Sequence, residues 1–194
     1  AGQLPEATWV LLPHESGFIS ENAAATLLNY VHRASAFLLG PGLGFNISTR
    51  KFVEEIISQI KIPSVIDADG LRHLEQITDW HKKLNKMAIL TPHVGEMAVL
   101  TGLSKKDIQA DRNEIACKYA KEWGHVVVLK GAFTVVAAPD GKMTVIPVAT
   151  PALREYNGLK ILQVVTHREL VGSAFSLQVH HGALGEFFGK NVDP

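Results

Sequence analysis

The sequence has little that would tie it to a surface or cross-link it. A single cysteine, Cys117, stands among 194 residues, which excludes an internal disulfide; its place in a helix-like stretch reads as a small buried side chain. Net charge is lacking too. Lysine and arginine number 19 and aspartate and glutamate 19, so nothing favours non-specific binding to nucleic acid or to an anionic membrane. No apolar run approaches the ~20 residues that span a bilayer. The opening AGQLPEATW has neither a basic flank nor a hydrophobic signal core, and a cytoplasmic location is the expectation. The chain starts on Ala1 rather than methionine and reads as a fragment or a processed product.

What is present has the proportions of an ordinary globular domain, with 46% apolar and 20% charged residues. The length fits one domain over residues 1–194. WVLLP (Trp9 to Pro13) reads as a buried strand, and a helix capped by Ser20 is expected to run through Arg33. AFLLG (Ala36 to Gly40) is the next buried run and empties into GPGLG. Asn46 or Ser48 can cap a helix in which Phe52, Val53, Ile56, Ile57 and Ile60 recur at helical spacing. PSVID (Pro63 to Asp67) predicts a strand, followed by a short helix through His73 to Ile77. MAIL (Met87 to Leu90) predicts another. Asp111 and Glu114 have the spacing of a capping box, with Gly124 as the stop of the helix they head. VVVL (Val126 to Leu129) reads as a strand, and FTVVAAPDGKMTVIPV as a hairpin turning at Asp140-Gly141. Alternating buried strands and amphipathic helices imply an α/β fold: a mainly parallel sheet between helical layers, with an added antiparallel hairpin.

In such sheets ligands gather at the carboxyl ends of the strands, and four strand-end loops there have chemical character. GPGLG, Gly40 to Gly44, lets backbone N–H groups approach a phosphate beside a helix N-terminus; equally, its glycines suit a tight turn needing positive φ. It is no Walker loop, and Phe45 stands where a dinucleotide fingerprint needs glycine. DADGL, Asp67 to Leu71, sets two carboxylates at a strand end. They can hold Mg²⁺ through water, accept hydroxyl hydrogen bonds or, in the case of Asp69, cap the next helix. No larger set of metal ligands is read. TPHVGE, Thr91 to Glu96, offers His93 as a donor or acceptor near neutral pH and Glu96 to orient a partner or bind a hydroxyl. LKGAFT, Leu129 to Thr134, offers Lys130 as a point charge and Thr134 as a hydroxyl for a nucleotide phosphate; solvation is the plainer role of such a lysine.

Taken in order, GPGLG, DADGL, LTPHVGEM, VLKGAFTVVAAPDG and VATPAL resemble the ADP- or ATP-dependent NAD(P)H-hydrate dehydratases, from about Trp9 to Leu153. The resemblance implies a ribokinase-like three-layer α/β/α fold and repair of hydrated NADH or NADPH, with ADP or ATP and Mg²⁺ as cofactors. By motif position Gly44 and His93 would contact the hydrate, with Gly42, Asp67 and Glu96 beside them. Lys130, Gly131, Ala132, Phe133 and Thr134 would hold the adenine nucleotide. The implied partners are thus small molecules, neither nucleic acid nor membrane, and a homo-oligomer stays open. The implied reaction phosphorylates the ring hydroxyl and then expels phosphate, turning a poor leaving group into a good one.

In that family the base and anion hole come from a G-[TS]-G-D segment expected soon after VATPAL. Here the chain instead reads REYNGLKILQVVTHRELVGSAFSLQ, and residues 154–178 are atypical. Family-like character returns at VHHGALGEFFG, Val179 to Gly189. A locally altered reading frame, later restored, would produce this pattern. A glycine-rich segment, first helix and first strand of the family are also expected before LPEATWVLLP. The competing readings are a ribokinase-like kinase for a small alcohol, a non-catalytic remnant that still binds adenine nucleotide, and a Rossmann dehydrogenase weakened by Phe45.

Overall fold

The computed structural model describes residues 10–84 and 87–146, together with the backbone of residues 165–167 and 174–176. Its first pairing falls later than the apolar run suggests. Residues 10–13 carry no strand, and a small hairpin joins β1 (His14–Glu15) to β2 (Phe18–Ile19). The cause is the turn: Ser16 and Gly17 take φ of 48° and 82°, the left-handed pair that a two-residue hairpin needs. α1 (Ala23–Val31) then starts after Ser20 and stops short of Arg33. Ser20 contributes its carbonyl, which accepts the Ala23 N–H, rather than a side-chain cap.

From here the apolar runs become one sheet. It contains β3 (Phe37–Leu39), β4 (Ser64–Ile66), β5 (Ala88–Leu90), β6 (Val126–Leu129), β7 (Thr134–Ala137) and β8 (Met143–Ile146), in that spatial order. β3 to β6 are parallel; β7 and β8 are antiparallel additions. The crossovers carry α2 (Ile47–Gln59), then α3 (Asp69–Glu75) and α4 (Trp80–Lys83), then α5 (Val94–Thr101), α6 (Lys105–Ala110) and α7 (Arg112–Trp123). Asn46 caps α2 by accepting the Ser48 N–H, as its position suggests. Asp111 likewise accepts the Glu114 N–H, but the reciprocal capping box belongs to His93 and Glu96 at the start of α5. Gly124 ends α7 at φ 74°. α3 starts earlier than the sequence suggests, directly after the strand end.

Phe52, Val53, Ile56 and Ile57 of α2, Leu71 and Leu74 of α3, Met97 of α5 and Trp123 of α7 pack with Leu39, Ile66, Leu90 and Leu129 in one core. Each large side chain buried there contributes roughly 1.5–3 kcal/mol. Cys117 is half-buried at its margin, less enclosed than its sequence setting implies. A further antiparallel pair, β9 (Val165–His167) with β10 (Ala174–Ser176), falls within the atypical stretch. Trp9, VATPAL, the rest of 154–178 and VHHGALGEFFG lie outside the described residues.

Candidate functional site

Parallel neighbours deliver their carboxyl ends to one edge of the sheet, so the loops after β3, β4, β5 and β6 meet there. Gly40 shows how closely the first two approach. Its φ is 134°, and a Cβ on it would stand 1.7 Å from the Asp67 carbonyl oxygen. Only glycine fits. The next residues close a turn in which the Leu43 N–H reaches the Gly40 carbonyl, with Gly42 at φ 74° and Gly44 at φ 72°. The N–H of Gly44 is donated to Asp69 at 3.0 Å. His73, one helical turn on, donates Nε2–H to the Gly44 carbonyl at 2.9 Å. The loop is therefore held at both peptide groups by α3, and its Leu43 and Gly44 amides are already engaged.

The DADGL carboxylates diverge. Between them Ala68 sits at φ 49°, ψ −123°, a region costly for any residue with a Cβ. That turn sends Asp69 toward Gly44 and Asp67 toward Lys130, whose Nζ lies 2.6 Å from Asp67 Oδ1. The same ammonium lies 3.8 Å from Glu96 Oε2. Glu96 is buried, yet it is well supplied with partners. It accepts the His93 N–H at 2.7 Å, and its own N–H is donated to His93 Nδ1 at 3.0 Å. With Nδ1 acting as acceptor, neutral His93 carries its proton on Nε2, 3.5 Å from Glu96 Oε1. The ring is 60% exposed, open to a ligand. A bridge between His93 and Lys130 joins the loops after β5 and β6.

Of the residues the sequence singles out, Asp67, His93, Glu96 and Lys130 thus form one polar group, with Gly42 and Gly44 across the Asp67–Gly40 contact. Lys130 divides its loop. Its backbone leads into KGAFT, but its ammonium belongs to the carboxylates. Gly131, Ala132 and Phe133 line a cavity of about 410 Å³ shared with Gln109, Arg112 and Val145. Thr134 donates Oγ1–H to the Gly131 carbonyl at 3.3 Å.

Sequence reasoning misses His73 and Arg112. His73 is 1% exposed, stacks on Phe45 with ring centres 5.0 Å apart, and leaves Nδ1 buried without a partner. Burial pushes its pKa below 6.5 against the raising effects of the Gly44 bond and Asp69; Arg72 and Arg50 add to the lowering. Spacing offers a signal, since Asp69 and His73 share a helix face. Among the described residues no group of three His, Cys, Asp or Glu could hold a metal. Asp67 and Glu96 share their cation, so these residues do not by themselves fit a Mg²⁺ cage.

The order of these loops matches a known family. A sequence profile described as NAD(P)H-hydrate dehydratase matches residues 4–156. The chain belongs to this family. The bifunctional NAD(P)H-hydrate repair enzyme of Moorella thermoacetica is 40% identical over 71% of this chain and 26% of its own length. The ADP-dependent (S)-NAD(P)H-hydrate dehydratase of Bacillus subtilis is 30% identical over 95% of this chain and 64% of its own. The chain therefore spans under two thirds of these relatives. A crystal structure of the B. subtilis ADP/ATP-dependent enzyme, co-crystallised with ATP/Mg²⁺, superposes with a TM-score of 0.54 at 28% identity, over 71% of this chain and 54% of that one. The fold is ribokinase-like α/β/α. The profile match ends at residue 156, close to Leu153, after which the sequence turns atypical. Among the described residues no helix is long and apolar enough to cross a membrane.

Proposed function

We propose that this site takes hydrated NADH or NADPH together with ADP or ATP, as the names of its relatives describe for them. The observation carrying the proposal is the convergence of the GPGLG, DADGL, TPHVGE and KGAFT loops at adjoining strand ends, tied by the Asp67–Lys130 ion pair. Gly42, Gly44, Asp67, His93 and Glu96 form the substrate side. An exposed His93 with Nε2–H can donate to a polar group of the hydrate, while the buried Glu96 fixes the ring through Nδ1. Lys130 balances the two carboxylates. Gly131, Ala132 and Phe133, which line the cavity, form the nucleotide side with the neighbouring Thr134. Mg²⁺, when bound, neutralises charge on nucleotide phosphates; no protein cage for it is assigned.

Turnover by this chain is expected to be slight. The G-x-G-D segment that the resemblance makes responsible for the base is absent after Leu153, and general-base assistance is worth about 10²–10⁴ in rate. Asp67 is no ready replacement, since Lys130 holds it. The test follows recovery of reduced-nicotinamide absorbance from the hydrate with ADP or ATP and Mg²⁺. It compares this chain with a version carrying Gly-Thr-Gly-Asp after Leu153. The second should turn over at least about a hundredfold faster. Equal, substantial rates would mean that another carboxylate acts as base. Phosphorylation of a small alcohol with no action on the hydrate by either form would favour the kinase.

A further inference from the structure

Arg112 lies outside every motif read from the sequence, yet it meets the KGAFT loop from both ends. It is the first residue of α7. Its NH2 donates to the Leu129 carbonyl at 2.8 Å and to the Phe133 carbonyl at 3.1 Å. Those carbonyls flank the loop, so one guanidinium nitrogen closes it like a clasp. Desolvation in this position lowers the arginine's pKa, although an arginine keeps its charge at any ordinary pH.

Gly131 explains what the clasp requires. It is not among the positive-φ glycines, so conformation alone does not demand a glycine there. A Cβ at 131 would instead stand 2.7 Å from Arg112 NH2, 2.8 Å from NH1 and 2.9 Å from the central carbon. These distances bring the NH1 and NH2 end of the guanidinium, together with its central carbon, against Gly131. The glycine makes room for the flat group, and the flat group then reaches both carbonyls. Arg112 itself lines the cavity together with Gly131, Ala132 and Phe133.

We propose that Arg112 and Gly131 act as one coupled unit, with Arg112 the positioning residue that shapes the Lys130–Thr134 loop for an adenine nucleotide. The nucleotide part rests on the function proposed above; the coupling does not. Lysine cannot replace the arginine, because a single ammonium on a flexible stem has neither the plane nor the fixed fork.

A double-mutant cycle tests this on the full chain, read first without ligand by amide hydrogen exchange over residues 130–134 and then by calorimetric titration with ADP. R112A, R112K and G131A should each speed exchange of these amides about tenfold, the size expected for loss of a charge-assisted hydrogen bond. In the R112A background, adding G131A should cost nothing further, since the clash it creates is gone. ADP affinity should follow the same pattern, with losses of about tenfold in each single variant and no additional loss in the double. Equal effects of G131A in both backgrounds would overturn the coupling. Wild-type exchange in R112K would overturn the planar clasp in favour of simple charge. If the unsubstituted chain fails to bind ADP, the nucleotide assignment falls, and the exchange cycle still decides the pair.

Discussion

The Gly40–Gly44 and Lys130–Thr134 loops look alike as text, each a glycine-bearing turn after a buried strand and each a candidate cradle for phosphate. Their glycines serve different physics. In the first, Gly40, Gly42 and Gly44 all have positive φ, and the Leu43 and Gly44 amides are occupied by Gly40 and Asp69. In the second, Gly131 needs no such φ and yields space to a guanidinium. One loop is rigid through its own backbone and its attachment to α3. The other is held by a side chain from α7, the helix that leads into β6.

Alanine at the two sites should expose this difference most sharply. Gly40→Ala faces a backbone carbonyl that cannot retreat and should cost about 4 kcal/mol or more. Gly131→Ala faces the tip of a long side chain and should cost only roughly 1–2 kcal/mol. Urea denaturation of both variants measures the contrast; similar losses would remove it. Next in size is relief of strain beside the first loop. Ala68→Gly should raise stability by about 1 kcal/mol net, the relaxed φ outweighing the added freedom of the unfolded chain. A fall in the urea midpoint would show that Ala68 is not strained.

Lys130 ties its loop to Asp67 and Glu96 of the two neighbouring strand-end loops, and its removal should matter more for binding than for stability. Asp67 and Lys130 are 30% and 40% exposed, so screening limits the stability cost of Lys130→Met to about 1 kcal/mol or less. Hydrate binding, read by titration, should weaken while ADP binding holds, because the ammonium faces Asp67 and Glu96. The reverse pattern would return Lys130 to the nucleotide.

The smallest effect is a pH dependence. His73 and His125 both have pKa values lowered from 6.5 by burial. Below 6.5 the unfolded chain therefore takes up protons that the folded chain resists, and stability falls as pH falls from there toward the folded values. Above 6.5 neither histidine contributes a slope. Gln at position 73 keeps a donor for the Gly44 carbonyl without titrating. Urea midpoints at pH 7.5 and 5.5, on the order of one unit either side of the histidine range, should differ less in His73→Gln than in the parent. An unchanged difference would assign the slope elsewhere.

Most of the sheet was legible because its strands are continuous apolar runs and its α2 and α7 ends carry Asn46, Asp111 and Gly124 at positions where local hydrogen bonding decides the outcome. The hairpin turn at Asp140-Gly141 was legible for the same reason, with Gly141 at φ 89°. The first strand was misplaced, since apolar content at Val10 to Pro13 says nothing about the left-handed turn at Ser16-Gly17. Motif order brought Asp67, His93 and Glu96 to one place. It could not show where the Lys130 side chain turns, because that depends on two carboxylates that follow other strands, Asp67 after β4 and Glu96 in α5. Arg112 was illegible altogether: its partners are backbone carbonyls, which carry no sequence signature.

In the function proposed above, hydrate and nucleotide occupy opposite sides of the Asp67–Lys130 pair. Amide chemical-shift mapping with each ligand alone tests it directly. ADP should perturb residues 131–134 and the α7 start at Arg112, and the hydrate should perturb Gly42, Gly44, His93 and Glu96. ADP shifts centred on Gly44 and His93, or hydrate shifts centred on Ala132 and Phe133, would contradict it.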